Sequence, residues 1–295
     1  MIASFQNVSI IGIGQMGNGI AKKIDQIGKL KSIFEINPEL LKDFANRTDL
    51  NINKFENGLT DCNIHLFIVP STKEIRNFLF DAEGINQIAS GSVIVDLTTS
   101  NPEESIKLAE ELKGYNIDYL DCGMTGGAQG AANGTLTLMI GGEKHTIQKT
   151  ESILESFTNK LVHVGKTGSG HAMKLIHNMV THTIFFATVE GVKGAKELGI
   201  DPNIVIDVFN SGNARSFISE KRFPNHILSE KWDAKSRVSN LYKDLSMVTN
   251  ALNNLEIKCP FGDLTTELLK NAVDQGLSDT DFSKLYLDYY KLINE

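Results

Sequence analysis

Short apolar runs, rich in β-branched residues, alternate with amphipathic segments through the first half of the chain. Such runs are typical of buried parallel strands, and the segments between them have helical periodicity. The alternation predicts a doubly wound, mainly parallel sheet with helices on both faces and ligands at the carboxyl ends of its strands. The predicted strands are residues 8–13, 32–36, 64–69, 92–96, 117–121, 135–140 and 161–164.

From residue 165 onward the pattern becomes helical throughout. One long helix is predicted over residues 168–199. Asp201 and Pro202 have the order of a cap and a first helical residue, and Thr280 is the predicted cap of the last helix. The further helices are predicted after Asp201 and over residues 241–255, 261–275 and 281–293. We therefore predict a Rossmann-type dinucleotide-binding domain, residues 1–164, joined by the long helix to an all-α substrate and oligomerisation domain, residues 165–295.

The long helix is apolar around most of its circumference, which is the pattern of a buried helix. Its polar residues fall on one face, at i, i+3, i+7 and i+10; they are His171, Lys174, Asn178 and Thr181. A buried lysine needs a partner or a chemical task, because an unpaired buried charge is costly. The alternative is that Lys174 reaches solvent along its flexible stem, and the helix alone does not decide between the two. So apolar a helix also predicts self-association, as a homodimer or a homotetramer.

A glycine turn joins the first strand to the first helix. Gly12 permits the tight turn, Gly14 lets the backbone approach a pyrophosphate, and Gly17 lets helix and strand pack closely. Strand, turn and helix in this order are the context that dinucleotide binding requires, with the helix N-terminus facing the pyrophosphate. The predicted cofactor contacts in this turn are Gly12, Ile13, Gly14, Gln15, Met16 and Gly17.

Glu35, at the end of the second strand, lies 21 positions after Gly14. An acid about 20 residues downstream is expected to bind the adenosine ribose, and its charge repels a 2′-phosphate. We therefore predict NAD in preference to NADP, a preference that Lys42 could soften; the alternative is a solvated glutamate. The other residues predicted to line the cofactor are Asn37, Pro70, Thr98 and Thr99.

Five glycines fall within residues 122–134, a density that excludes the interior of a helix or strand. We expect a loop whose exposed backbone N–H groups cradle a carboxylate or an oxyanion. The alternative is a flexible connection between two strands.

Composition narrows the class of protein. The net charge of −7 argues against a general binder of nucleic acid or of membrane surfaces. Three scattered cysteines indicate a reducing compartment, and the seven histidines lack the spacing of a metal site. The first residues resemble neither a signal peptide nor a membrane span. We expect a cytoplasmic protein, with an organellar origin after removal of a transit peptide left open.

Taken together, the motifs resemble those of the β-hydroxyacid dehydrogenase family, which includes 3-hydroxyisobutyrate dehydrogenase and tartronate semialdehyde reductase. The resemblance covers essentially the whole chain, in the family's order. It is carried by Gly12-Ile-Gly14-Gln-Met16-Gly17, Asp96-Leu-Thr98-Thr99-Ser-Asn-Pro102, Thr125-Gly126-Gly127, Ala131-Ala-Asn-Gly134-Thr135-Leu136, Gly168-Ser-Gly170-His-Ala-Met-Lys174-Leu-Ile-His-Asn178 and Lys243-Asp244.

The resemblance implies an oxidoreductase that interconverts a short 3-hydroxy acid and its semialdehyde, with Lys174 as general acid/base. Thr125, Gly126 and Gly127 would hold the substrate carboxylate. Asn178 would orient the substrate or Lys174. Lys243 would approach both nicotinamide and substrate.

The chain departs from the family pattern in two places. Thr125 replaces the usual serine, and Cys122-Gly123-Met124 replaces the usual Ala-Pro-Val, which changes the expected shape of the substrate pocket. His177 gives a Lys-x-x-His-Asn run that also resembles 6-phosphogluconate dehydrogenase. An imine reductase and a non-catalytic cofactor-binding module are further alternatives, and both usually lack the lysine. Arg215 or Arg222 could supply a cation for a sulfonate, a phosphate or a second carboxylate.

Overall fold

The computed structural model describes residues 6–54 and 58–293. The chain divides into two units, residues 1–174 and 175–295. This division falls within the long helix, ten residues after the domain boundary predicted from the sequence. Residues 1–5, which belong to the segment where a signal peptide would begin, lie outside the described residues.

Unit 1 contains an eight-stranded sheet with the order β3-β2-β1-β4-β5-β6-β7-β8. All neighbouring strands are parallel except β6 and β7, which are antiparallel. The predicted mainly parallel sheet is therefore confirmed, and the two-residue strand β3 was not predicted. The strands are β1 Val8–Ile11, β2 Leu30–Phe34, β3 Asn51–Ile52, β4 Ile64–Phe67, β5 Val93–Asp96, β6 Asp118–Thr125, β7 Leu136–Gly141 and β8 Thr158–Gly165.

Helices cover both faces of this sheet. Successive side chains of a strand point to opposite faces, so each face contributes to its own hydrophobic cluster. On β5, for example, Val93 and Val95 belong to one hydrophobic cluster while Ile94 belongs to another. The helices of unit 1 are α1 Gln15–Gln26, α2 Thr72–Arg76, α3 Pro102–Lys113, α4 Gly127–Asn133 and α5 Lys144–Leu154. The predicted start of α3 is confirmed, with Asn101 accepting a hydrogen bond from Glu103 N at 2.8 Å.

The prediction that residues 122–134 form a loop was wrong. Strand β6 continues to Thr125, Gly126 takes a φ of 124°, and α4 begins at Gly127. The physical reason is tertiary packing, which outweighs the low helix propensity of glycine. Helix α1 meets α4 so closely that a Cβ on Gly19 would lie 2.7 Å from the backbone nitrogen of Ala132. Small residues are required at that crossing.

The long helix α6, Ser169–Glu197, begins in unit 1 and continues into unit 2. Its predicted extent is confirmed. Leu175, Phe185 and Val189 are buried, whereas Val180 is 48% exposed and Ile184 is 36% exposed. The helix is thus less completely buried within one chain than its apolar sequence predicted.

Among the described residues, the regular structure of unit 2 is helical. The helices after α6 are α7 Pro202–Ser211, α8 Val238–Asn254, α9 Pro260–Asp274 and α10 Leu285–Ile293. A wider π-helical segment, Ile218–Ile227, was not predicted. The prediction of Thr280 as the last cap was wrong: Asp281 accepts from Ser283 N at 3.0 Å and begins the 3₁₀ turn before α10. Within residues 6–54 and 58–293, no helix is long and apolar enough to cross a membrane.

A buried histidine makes the stability of unit 1 dependent on pH. His65 on β4 is fully buried, its Nδ1 lies 2.7 Å from Ser9 Oγ, and burial lowers its pKa from 6.5 to about 3. Below pH 6.5 the unfolded chain therefore binds a proton that the folded chain does not bind until about pH 3. Folding loses stability as the pH falls through this window.

We expect the free energy of unfolding to fall by about 2 kcal/mol more between pH 7 and pH 5 in the wild type than in His65→Asn. The variant lacks the titrating ring, so this part of the pH dependence disappears even if the variant is less stable at both values. Urea unfolding of both proteins at the two pH values measures the difference. Equal pH dependence would show that His65 does not titrate in this way.

Candidate active site

The glycine turn between β1 and α1 has the geometry that its sequence predicts. Gly12 has a φ of +91°, and a Cβ there would lie 2.5 Å from Ile68 O. A Cβ on Gly17 would lie 2.2 Å from Gly12 O, so helix and turn are in direct contact. At Gly14, by contrast, no heavy atom of the described residues lies within 4 Å of the position a Cβ would take. This open space beside a helix N-terminus fits a bound pyrophosphate. Ile13 is buried, Gln15 is exposed, and Met16 packs against the core.

Glu35 directly follows β2, with its carboxylate fixed by the backbone. Its Oε2 accepts from Ile13 N and its Oε1 accepts from Asn37 N, both at 2.8 Å. A carboxylate has about four acceptor sites, so capacity remains for ribose hydroxyls. Asn37 in turn caps the turn Pro38–Leu41 through its side chain, at 3.0 Å from Glu39 N.

The remaining predicted cofactor residues follow β4 and β5. Pro70 is exposed three residues after β4, and Thr99 is half-buried three residues after β5. Thr98 is buried, and both its backbone N–H and its hydroxyl donate to Asp96 Oδ1, at 2.9 and 2.6 Å. The hydroxyl of Thr98 also lies 2.6 Å from that of Ser100.

Strand β6 organises the part of the site that contains Lys174. Alternation along the strand places Asp121, Gly123 and Thr125 on one face, opposite the face on which Cys122 joins the core. The buried carboxylate of Asp121 accepts from Gly168 N at 2.7 Å and from His171 N at 2.9 Å. It therefore binds the N-terminal end of α6, where backbone N–H groups lack partners within the helix.

Lys174 contacts the same strand at Gly123, two residues after Asp121. A Cβ built on Gly123 would lie 2.4 Å from Lys174 Cβ and 3.2 Å from its Cγ. The stem of the lysine thus occupies the space where another residue would place its side chain. Gly123 is one of the chain's departures from the family pattern. Its role was missed because a contact distant in sequence leaves no local signal.

The predicted carboxylate cradle lies at the end of β6, two residues beyond Gly123. Thr125 is half-buried, while Gly126 and Gly127 are exposed at the start of α4. The segment is the junction of a strand and a helix, and the first backbone N–H groups of α4 lack partners within the helix. Lys174 lies against Gly123, and Thr125 follows Gly123 on the same face of β6, two residues or roughly 7 Å further along the strand.

Unit 2 brings two other predicted site residues together. Asn178 Nδ2 donates to Asp244 Oδ2 at 2.8 Å, and Lys243 Nζ lies 3.5 Å from Asp244 Oδ1. Asp244, in α8, therefore connects Asn178 and Lys243. The sequence marked Lys243-Asp244 as a pair, but a function was assigned only to the lysine.

Both candidate arginines of unit 2, Arg215 and Arg222, already contact other groups of the protein. Arg215 forms an exposed ion pair with Glu220, its NH2 lying 2.8 Å from Oε1. Arg222 lies against the rings of Phe217 and Phe282 and donates to Ala234 O at 3.1 Å. Burial lowers the pKa of Arg222 below its usual value. Among residues 6–54 and 58–293, no group of three or more His, Cys, Asp or Glu side chains could hold a metal ion.

Two family models match the chain. One, described as the NAD binding domain of 6-phosphogluconate dehydrogenase, matches residues 7–165, more than half of the chain. The other, described as NAD-binding of NADP-dependent 3-hydroxyisobutyrate dehydrogenase, matches residues 168–289. The chain belongs to the β-hydroxyacid dehydrogenase family. Members of this family are NAD(P)-dependent oxidoreductases of the 3-hydroxyacid dehydrogenase and semialdehyde reductase type.

Individual relatives in this family match over nearly their whole length. Mitochondrial 3-hydroxyisobutyrate dehydrogenase of Mus musculus is 24% identical, over 97% of this chain and 87% of the relative. The 3-sulfolactaldehyde reductase of Escherichia coli (strain K12) is 22% identical, over 94% of each chain. A structure of Mycobacterium tuberculosis 3-hydroxyisobutyrate dehydrogenase with L-serine has a TM-score of 0.86 and 20% identity, covering 97% of this chain and 99% of that one. At this identity the structural similarity shows the fold alone.

The glycine turn of this family member offers a paired test of cofactor binding and packing. In Gly14→Ala the added methyl enters open space at a φ of −59°, so the free energy of unfolding should change by less than about 0.5 kcal/mol. The Kd for NADH should rise at least about tenfold, because the methyl stands where the pyrophosphate must approach.

Gly17→Ala is the matched control with the opposite pattern. Its methyl would collide with Gly12 O, so the unfolding free energy should fall by about 1–3 kcal/mol. NADH fluorescence titration and urea unfolding measure the two quantities. Unchanged NADH affinity in Gly14→Ala would contradict the placement of the pyrophosphate at this turn.

Proposed function

We propose that the protein is an NAD-dependent dehydrogenase that interconverts a short 3-hydroxy acid and its semialdehyde, with Lys174 as general acid/base. The observation that supports this most directly is the arrangement along β6. Asp121 fixes the start of α6, Gly123 accommodates the stem of Lys174, and Thr125 follows on the same face. In this proposal the proton donor on α6 packs against the same strand that ends in the carboxylate-binding segment, as a positioned acid/base requires.

In this proposal Lys174 gives a proton to the substrate oxygen during reduction and removes it during oxidation. Reduction of a carbonyl by hydride leaves an alkoxide, which needs that proton. Lys174 is half-buried, and a lysine amine is one of the side chains that serve as general acid and base. The NAD cofactor, when bound, supplies or accepts the hydride.

The substrate carboxylate would be bound by the Thr125 hydroxyl and by the backbone N–H groups of Gly126 and Gly127. For Asn178 and Lys243, whose side chains both contact Asp244, we propose the substrate-binding roles that the family motifs imply. The M. tuberculosis relative was solved with L-serine, and L-serine is itself a three-carbon 3-hydroxy acid. The name of the E. coli relative specifies a sulfonated aldehyde. We therefore propose a substrate of three or four carbons with one anionic group that is either a carboxylate or a sulfonate.

The preference for NAD is proposed from Glu35. Its carboxylate is oriented by Ile13 N and Asn37 N, so its charge lies where a 2′-phosphate would have to be placed. The neighbouring Ile36 side chain is fully exposed, which makes it a candidate apolar surface for the adenine. That role was not foreseen from the sequence.

We expect kcat/KM for NADH to exceed that for NADPH at least about tenfold, or 1.4 kcal/mol of transition-state binding. Glu35→Gln should reduce this ratio, because it removes the negative charge and keeps the size of the side chain. Glu39→Gln, an exposed acid of the following turn that contacts Lys42, is the control and should keep the wild-type ratio. A wild-type enzyme that clearly prefers NADPH would refute the assignment.

Lys174→Ala should lose at least about 100-fold in turnover, the lower range for general acid–base catalysis. The assay is NADH oxidation with a panel of three- and four-carbon semialdehydes, including sulfonated ones. Lys196→Ala removes an exposed lysine further along the same helix and should retain wild-type turnover. A Lys174→Ala enzyme that turns over as fast as the wild type would exclude Lys174 as the acid/base.

We further propose that the chain acts as a homodimer or homotetramer in the cytoplasm. Exposed apolar residues of α6 and α9, Val180, Ile184, Phe261 and Leu264, support self-association. The two helices pack together where the hydroxyls of Thr183 and Thr265 lie 2.9 Å apart. The low cysteine content supports a reducing compartment.

A further inference from the structure

A cluster of buried polar side chains lies below the carboxyl ends of β5 and β6. Its members, all less than a tenth exposed, are Asp96, Thr98, Ser100, Ser105, Tyr119, Asp121 and His171. Asp96 and Asp121 are direct register partners on the two parallel strands. Two adjacent buried carboxylates are unusual, because each buried charge must be compensated. The carboxylate of Asp121 is compensated by the backbone N–H groups at the start of α6. The groups that compensate Asp96 are different.

Asp96 holds the segment that follows β5. It accepts from Thr98 N at 2.9 Å, from Thr98 Oγ1 at 2.6 Å and from Tyr119 OH at 2.7 Å. These bonds shape residues 97–101, the segment predicted to contact the cofactor through Thr98 and Thr99. A carboxylate has about four acceptor sites, so one site of Asp96 remains beyond these three bonds.

His171 faces that remaining site. Its Nδ1 lies 2.8 Å from Ser105 Oγ, and its Nε2 lies 3.8 Å from Asp96 Oδ1. Nε2 has no hydrogen-bond partner among the described residues. A neutral ring with its proton on Nε2 presents that proton to the carboxylate. Nδ1 then accepts from the Ser105 hydroxyl at 2.8 Å, a shorter contact than the 3.2 Å from that hydroxyl to Asn101 O. The other tautomer would direct a lone pair at the carboxylate, which is unfavourable.

His171 also belongs to the helix that carries the proposed acid/base. It precedes Lys174 by three residues, and its own backbone N–H donates to Asp121. A movement of about 1 Å at residues 96–98 would bring Asp96 within hydrogen-bond distance of Nε2. The His171 ring therefore projects from the helix of Lys174 toward the segment after β5. A small movement would turn its 3.8 Å approach to Asp96 Oδ1 into a hydrogen bond.

We propose that His171 is a positioning residue whose Nε2 engages Asp96 and thereby fixes residues 97–101 relative to Lys174 when the cofactor binds. The proposal rests on the proposed function, in that it takes residues 97–101 as a cofactor segment and Lys174 as the acid/base. It assigns no chemical step to His171 itself.

Two substitutions at His171 distinguish the contributions of its two ring nitrogens. In His171→Asn the side-chain amide replaces Nδ1 beside Ser105, and nothing replaces Nε2. In His171→Gln the longer side chain places an amide near the position of Nε2. We expect His171→Asn to lower kcat and to raise the Kd for NADH, each at least about tenfold. His171→Gln should stay within about threefold of the wild type in both.

His65→Asn is the matched control. His65 is also fully buried, also contacts a serine hydroxyl through Nδ1, and also has an Nε2 without a partner among the described residues. It lies on β4, its register partner on β5 is Ile94 rather than a residue of the segment 97–101, and its ring contacts Ser9 on β1. We expect His65→Asn to change stability without changing kcat or the Kd for NADH. Comparison with this control separates a positioning role from the general cost of replacing a buried histidine.

A second readout does not depend on Lys174. In the Lys174→Ala background, hydrogen exchange of the Thr98 amide, which donates to Asp96, should be slowed by NADH with His171 present. This slowing should be lost in His171→Asn and retained in His171→Gln. The result would support the positioning role even if Lys174 proved not to be the acid/base. Equal NADH affinity and equal exchange in the His171→Asn and His171→Gln proteins would overturn the proposal.

Discussion

The buried carboxylate of Asp121 is the interaction on which the proposed site depends. It accepts hydrogen bonds from Gly168 N, just before α6, and from His171 N, in its first turn, at 2.7 and 2.9 Å. A buried charge of this kind is stable because the helix end supplies both hydrogen-bond donors and the positive end of its dipole. The consequence for the chain is geometric. These two hydrogen bonds fix the start of α6 relative to β6, and thereby fix the backbone position of Lys174.

Close approach of backbones is the second constraint, and it depends on residues that lack a side chain. Gly123 allows the Lys174 stem to lie against β6, and Gly17 allows α1 to lie against its own turn. At Gly19 the same condition lets α1 cross α4. Each of these glycines is low in helix or strand propensity, yet each lies in regular structure. The cost of their flexibility is offset by packing that a larger residue would prevent.

Residues with proposed roles occur in both units. Unit 1 carries the glycine turn, Glu35, Lys174 and the Thr125 segment, all anchored to the carboxyl ends of parallel strands. Unit 2 carries Asn178 and Lys243, which Asp244 connects. Lys174 lies on α6, whose start is bonded to β6 through Asp121, and a site built on helices and strands is more precise than one built on loops.

Local patterns determined the fold class of this protein. Runs of β-branched residues, helix caps such as Asn101 and Asp201, and the spacing from Gly14 to Glu35 are all signals confined to short stretches of chain. They predicted the parallel sheet, the glycine turn and the long helix, and family motifs predicted Lys174 as the acid/base. Only the tertiary structure decided that residues 127–133 form a helix, because that outcome depends on α1 lying against them. It also decided that Asp121 and Gly123 of β6 lie against His171 and Lys174 at the start of α6, since each of these contacts joins residues about 50 positions apart. Propensity and periodicity describe neighbours along the chain, whereas these contacts arise only when strands and helices have been packed.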